Sequence, residues 1–125
     1  MNNKYYTPTI EEFHVGFEYE MNYKDNEWSY EFTPYDFDLI SDFIREGKCR
    51  VKYLDLEDIK SLGFEYKWEE RGTWSLVKDE CLVTFNPGYT KGNVKISYLN
   101  RKGFIFKGQI KNKSEFRRLL KQLGI

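Results

Sequence analysis

Histidine and cysteine are scarce in this chain, and one long stretch lacks acidic side chains. There is one histidine, His14, and there are two cysteines, Cys49 and Cys81, in 125 residues. Neither cysteine belongs to a CxxC pair, which excludes the usual thiolate zinc site and redox dithiol. Both lie in apolar, strand-like surroundings, as buried reduced thiols do. No apolar run approaches the roughly 20 residues that a membrane-spanning helix needs. Met1-Asn2-Asn3-Lys4 has no hydrophobic signal region, so the expectation is a cytoplasmic protein with no membrane partner. There are no internal repeats and no low-complexity runs. A phosphate-binding GxxxxGK[ST] loop and a nucleophile elbow are also missing.

Aromatic residues are abundant: ten Phe, ten Tyr and three Trp, 18% of the chain. Tyr and Phe favour strands, so the composition leans towards sheet. Charged residues make up 32%, the mark of a soluble folded protein. The net charge of zero hides a division. Residues 1–80 carry 10 Lys/Arg against 19 Asp/Glu, whereas residues 81–125 carry 10 Lys/Arg against Glu115 alone. No carboxylate side chain lies between Glu80 and Glu115. Such a split suggests a basic face and an anionic partner.

Positions 13–23 alternate large apolar residues (Phe13, Val15, Phe17, Tyr19, Met21, Tyr23) with smaller or polar ones, the period of a half-buried strand. Thr9 and Glu12 ahead of it have capping-box spacing. A two-residue Asp25-Asn26 turn sets Lys24 opposite Glu27, Tyr23 opposite Trp28, Met21 opposite Tyr30 and Tyr19 opposite Phe32. All the apolar residues then share one face. Thr33-Pro34-Tyr35-Asp36 reads as a helix start, with Phe37, Ile40, Phe43 and Ile44 as the apolar stripe and Gly47 as the stop. A short strand follows at 49–53, then a brief helix capped by Asp55 and ended by Gly63.

Further strands are expected after it. Tyr66 and Trp68 face Leu76 and Trp74 across a three-residue turn, Glu70-Arg71-Gly72. Leu82-Val83-Thr84-Phe85, Val94 to Tyr98, and a last strand with Phe104 and Phe106 complete the set. Ser114 caps a closing helix whose stripe is Phe116, Leu119, Leu120 and Leu123. The sum is one α+β domain, 1–125: a mainly antiparallel twisted β-sheet of about six to eight strands with two or three short helices on one face.

Two stretches carry a resemblance. Tyr6-Thr7-Pro8-Thr9-Ile10-Glu11-Glu12-Phe13-His14-Val15-Gly16-Phe17-Glu18-Tyr19-Glu20 is one. The other is Gly103-Phe104-Ile105-Phe106-Lys107-Gly108-Gln109-Ile110-Lys111-Asn112-Lys113-Ser114-Glu115-Phe116 with the closing Leu119-Leu120-Lys121-Gln122-Leu123-Gly124-Ile125. Together they resemble small uncharacterised proteins encoded by bacteriophages and by bacteria with phage-derived genes. The resemblance implies a setting, binding of host factors or neutralisation of host defence, and supplies no catalytic residues.

Three constellations could carry chemistry. Glu18, Glu20 and Glu31 share the polar face of the first hairpin, with Glu20 opposite Glu31; this is a hard-cation site or a solvated face screened by Lys24 and Lys52. His14 is a general-base candidate without the partners a triad needs, and a structural histidine at the sheet rim is the plainer reading. The third is the basic region. Tyr89, Lys91, Lys95, Arg101, Lys102 and Lys107 mix an aromatic with cations, the combination that holds nucleotides and single strands. The same surface could instead dock on the acidic part of the chain, within one molecule or between copies.

The expectation is a non-enzymatic binding protein without metal or cofactor. It takes an anionic small molecule or nucleic acid on those six residues, and the phage resemblance implies counter-defence as the setting. The alternative is an interaction protein, blocking a host protein or forming a homo-oligomer through its charged faces.

Overall fold

Alternating strand patterns say which side chains share a face, but not which strands share a sheet. A computed structural model describes residues 4–14, 16–24, 27–32, 36–87 and 92–125. It is α+β, with two antiparallel sheets of four and five strands in place of the one sheet expected. The chain divides into two compact units, Met1–Tyr53 and Leu54–Ile125.

In the first unit, β1 (Tyr5–Tyr6), β2 (Tyr19–Lys24), β3 (Glu27–Glu31) and β4 (Cys49–Lys52) lie in the order β1-β4-β2-β3. Helix α1 (Phe37–Arg45) buries Ile40 against Phe13, Phe17, Tyr19, Met21, Cys49 and Val51. The alternation over 13–23 is not one strand. Its first part contains a turn, in which the Phe17 N–H donates to the His14 carbonyl (2.9 Å) across Gly16 at φ +86°. That φ suits glycine. Phe13 and Phe17 still reach the core.

The hairpin register also differs from expectation. Lys24 does face Glu27, but Tyr23 is an extra residue, so Asn22 faces Trp28, Met21 faces Ser29, Glu20 faces Tyr30 and Tyr19 faces Glu31. A one-residue shift moves a strand's whole side-chain set to the other face. Trp28 and Tyr30 of β3 therefore lie away from α1, with Tyr30 57% exposed. The turn residues Asp25 and Asn26 lie outside the described residues.

Helix α1 begins later than Thr33 suggests. Asp36 is its cap, accepting from the Leu39 N–H at 3.0 Å, and Phe37 is half-exposed, off the buried stripe. Thr33, Pro34 and Tyr35 lie outside the described residues. Gly47 does end the helix, at φ +73°.

The second unit opens with α2 (Leu56–Ser61), capped by Asp55 and Asp58 reciprocally as a capping box. Strands β5 (Glu65–Glu70), β6 (Thr73–Lys78), β7 (Cys81–Asn86), β8 (Asn93–Tyr98) and β9 (Phe104–Gln109) then pair in chain order, and α3 (Lys113–Gln122) follows. Ile59 of α2 and Phe116 and Leu120 of α3 pack with Leu76, Val83, Phe85, Val94 and Ile96. Register puts those five strand residues on one face, so both helices cover the same side. Asn112, two residues before the expected Ser114, caps α3 by accepting from the Glu115 N–H at 2.8 Å. Ser114 is buried inside the first turn.

Candidate ligand-binding face

The five-stranded sheet has a second face, away from α2 and α3, here called its outer face. Register across all five strands reads out a row on it: Trp68, Ser75, Thr84, Lys95 and Lys107. The neighbouring row is Glu65, Val77, Leu82, Ser97 and Phe104. Two irregularities make these rows. In β5, Tyr66 faces Leu76 but Trp68 faces Ser75, so Lys67 is a bulge and Trp68 turns outward. In β9, Phe106 faces Ile96 but Phe104 faces Ser97, so Ile105 is extra and Phe104 turns outward. Each edge strand thus keeps one aromatic for the core side and presents the next on the outer face, at 51% exposure for Trp68 and 57% for Phe104. Bulges commonly re-aim side chains in this way.

The β5–β6 connection contributes to that shift. The expected three-residue turn, with Trp68 opposite Trp74, is instead a two-residue turn in which Glu70 faces Thr73. Its residues Arg71 (φ 52°) and Gly72 (φ 80°) are both left-handed, the requirement of a type I′ hairpin. The residue gained by the shorter turn is absorbed by the bulge at Lys67, which restores Tyr66 to its place opposite Leu76.

Of the six residues expected to bind, the structure brings Lys95 and Lys107 together as directly paired cross-strand neighbours. The Lys95 ammonium lies 5.5 Å from the centroid of the Phe104 ring, within cation–π range. Arg101 and Lys102 are exposed in the β8–β9 turn, beyond the strand ends, with the Arg101 guanidinium 5.3 Å from the Tyr98 ring centroid. Tyr98 faces Cys81 and so belongs to the helix-covered side, which directs Arg101 away from Lys95. Tyr89 and Lys91 lie outside the described residues. Trp68 and Phe104 were not among the six. Alternation alone assigns each to the core with its neighbour, and only the bulges separate them.

Two like charges paired across strands destabilise a sheet unless an anion lies between them. Strands β7, β8 and β9 contain no carboxylate to supply one. Among the described residues neither Lys95 nor Lys107 forms an ion pair. At its β8–β9 end the face therefore combines two lysines, unpaired among the described residues, with aromatic surface, which suits an anion that has a planar part.

The acidic trio does not assemble. Glu20 faces Tyr30 and is bound by Arg50 at 2.8 Å, while Glu31 faces Tyr19 on the α1 side and accepts from the Tyr23 hydroxyl at 3.0 Å. Glu18 accepts from the Tyr30 hydroxyl. Among the described residues no three His, Cys, Asp or Glu are grouped to hold a metal. His14 precedes β2 and its ring lies edge-on to Phe17 at 5.5 Å. A cleft lined by Tyr19, Met21, Tyr23, Glu31, Asp36, Leu39 and Ile40 has a cavity of about 10 Å³, the scale of one water. Both thiols are free and buried. Burial, aided by the Glu12 carboxylate, pushes Cys49 up to about 12, and burial raises Cys81. Neither thiol is suited to nucleophilic work.

No protein-family model, curated protein or solved structure matches this chain.

Proposed function

We propose that the chain is a non-catalytic binding protein that holds an anionic, base-containing ligand on the outer face of its C-terminal sheet. A nucleotide or a short nucleic acid is the class that fits. One observation carries the reading: Lys95 and Lys107 are paired beside the exposed Phe104, with no ion-pair partner for either among the described residues. Lysines in this position lower sheet stability when the face is empty, and a bound phosphate removes that penalty. A ring beside them offers a base its π-face. The resemblance of both chain ends to phage-encoded proteins favours counter-defence as the setting, with a host nucleotide signal or host nucleic acid as the target.

The test is fluorescence anisotropy with labelled oligonucleotides and competing mononucleotides, on the parent and on K107E. Reversing one charge replaces a like pair by an opposite pair. K107E is expected to gain roughly 0.2–1 kcal/mol of stability while losing ligand. A variant that is more stable yet binds as tightly as the parent overturns the site. Two phosphate contacts to single strands also predict a log–log salt slope of about −1.4.

The first unit supports a second reading, an interaction protein. Its β3 edge exposes Tyr30 and, just beyond it, Phe32 at 60%. The charge balance is also opposed between units: 6 Lys/Arg against 11 Asp/Glu in residues 1–53, and 14 against 9 in residues 54–125. Sedimentation at low and high salt tests self-assembly, since assembly through opposite charges weakens as screening rises. A monomer at both salts removes the homo-oligomer.

A further inference from the structure

The ligand-binding reading leaves Trp68 unused, although it is turned onto the same outer face from the opposite edge of the sheet. Trp68 and Lys107 end one register row that crosses all five strands. Four inter-strand steps of ~4.8 Å separate them by roughly 19 Å. Phe104, three chain positions from Lys107 on the same strand with the bulged Ile105 between them, stands a similar distance from Trp68. One base with its phosphate cannot touch both aromatics and the two lysines.

We infer that the natural ligand is a single-stranded oligonucleotide lying across the strands. It stacks one base on Phe104 and another on Trp68 and passes its backbone over Lys95 and Lys107. This rests on the binding function proposed above and specifies its ligand class.

The row supports a strand better than a rigid duplex or a mononucleotide. Between Trp68 and Lys95 the row holds only the buried Ser75 and the half-buried Thr84; Val77, Leu82 and Ser97 lead to Phe104 on one side of it, and Asn86 and Asn93 lie on the other. A backbone can lie low over Ser75 and Thr84 while the bases reach the rings at either edge. Thr84 and the asparagines offer neutral hydrogen-bonding groups that any sequence can use. At a stacked rise of ~3.4 Å per nucleotide, roughly 19 Å corresponds to about six nucleotides, within the footprints of other stacking platforms. Phosphates concentrate over the lysine side of the row, since at the β5 end the nearest cation, Lys67, is paired with Glu65 at 3.4 Å. Binding near Trp68 is thus expected to depend on stacking more than on charge.

The experiment measures anisotropy of labelled oligouridylates and oligodeoxythymidylates of two, four, six, eight and ten nucleotides. The full chain is titrated as parent, W68A, W68F and K107E. The expected result is affinity that climbs steeply to about six nucleotides and then flattens. W68A should weaken the hexamer roughly five- to hundredfold and leave the dinucleotide unchanged, with W68F restoring most of the loss. K107E should weaken every length. Preference for either sugar supports the inference and identifies the nucleic acid.

If mononucleotides bind the parent as tightly as the hexamer, or W68A holds the hexamer like the parent, the oligonucleotide inference fails and the binding function stands. If the parent binds neither series nor mononucleotides, both fail, and the exposed aromatics belong to a protein interface.

Discussion

Replacing Arg50 by alanine is expected to destabilise the first unit by up to about 2–3 kcal/mol. The figure follows from three contacts on the sheet face away from α1. The guanidinium carbon lies 3.8 Å from the Tyr5 ring centroid and 4.0 Å from that of Trp28, so the group is held between two aromatic faces. Its Nε and one terminal nitrogen both donate to the same Glu20 oxygen, at 3.1 and 2.8 Å. The Arg50 side chain is 28% exposed and that of Glu20 21%, so solvent screens the pair only in part. A partly exposed cation–π contact contributes about 0.5–1 kcal/mol, and the ion pair about 1 kcal/mol at this exposure. These terms overlap, because one side chain makes all three, and their sum is an upper figure.

Arg50→Lys isolates geometry from charge. Lysine keeps the positive charge but loses the planar face that both rings contact and the fork that meets Glu20. It is expected to recover less than half of the loss. The assay is urea unfolding followed by far-UV circular dichroism, with Trp28→Ala and the double variant completing a cycle. A coupling between Arg50 and Trp28 of at least 0.5 kcal/mol is expected for residues in contact. Arg50→Ala within ~0.3 kcal/mol of the parent, or zero coupling to Trp28, would refute the stacked arrangement.

Two further perturbations address the rest of the structure. Gly92→Ala should cost about 3 kcal/mol or more, because Gly92 sits at φ +77° and an added Cβ would overlap the Ile110 carbonyl oxygen; thermal melts measure it, and a loss under 1 kcal/mol contradicts the approach. Cys49 ionises near 12 when folded against 9.0 for an ordinary thiol, so the unfolded chain releases its proton first as pH rises. The thiol's contribution is therefore intact below pH 9 and is lost between 9 and 12. Stability should fall across that window, and Cys49→Ala should flatten the fall; parallel pH profiles for the two proteins would reject the assignment.

Features written in neighbouring residues were legible in the sequence. Glu12 does accept from the Thr9 N–H (2.7 Å), Asp55 caps α2, and Gly47 and Gly63 take the left-handed conformation at helix ends. The alternating strands of the second unit form near their expected positions, since their apolar residues have one core to enter. Three things were not legible. Sheet membership depends on contacts far apart in sequence, and nothing local in 49–53 says that β4 joins β1 and β2 while 64 onward starts another sheet. Helix caps were placed on Thr33 and Ser114 where Asp36 and Asn112 serve. Several capping residues stand together at both starts, and packing of the first turn selects among them. Bulges at Tyr23, Lys67 and Ile105 leave the alternation on either side intact, so the pattern does not reveal the extra residue. These bulges decide the candidate site.

A bulge on an edge strand has a use that needs no ligand, since it twists the edge away from unwanted strand pairing. That explains why β5 and β9 are irregular but not which side chains they turn outward. The bulge in the first unit sharpens the comparison. There too a shifted register places Trp28 on a sheet face beside a cation, but Arg50 covers the ring and Glu20 neutralises Arg50, so the arrangement is complete in itself. In the second unit Lys95 lies over Phe104, its neighbour Lys107 repeats the charge, and three successive strands provide no acid. The same device is electrically closed in one sheet and open in the other. If edge protection were the only use, a carboxylate at Lys107 on the edge strand β9 would guard the edge as well and remove the repulsion. On the binding function proposed above, the negative charge comes from outside the chain, and the stability gain and the binding loss expected for K107E should then appear together.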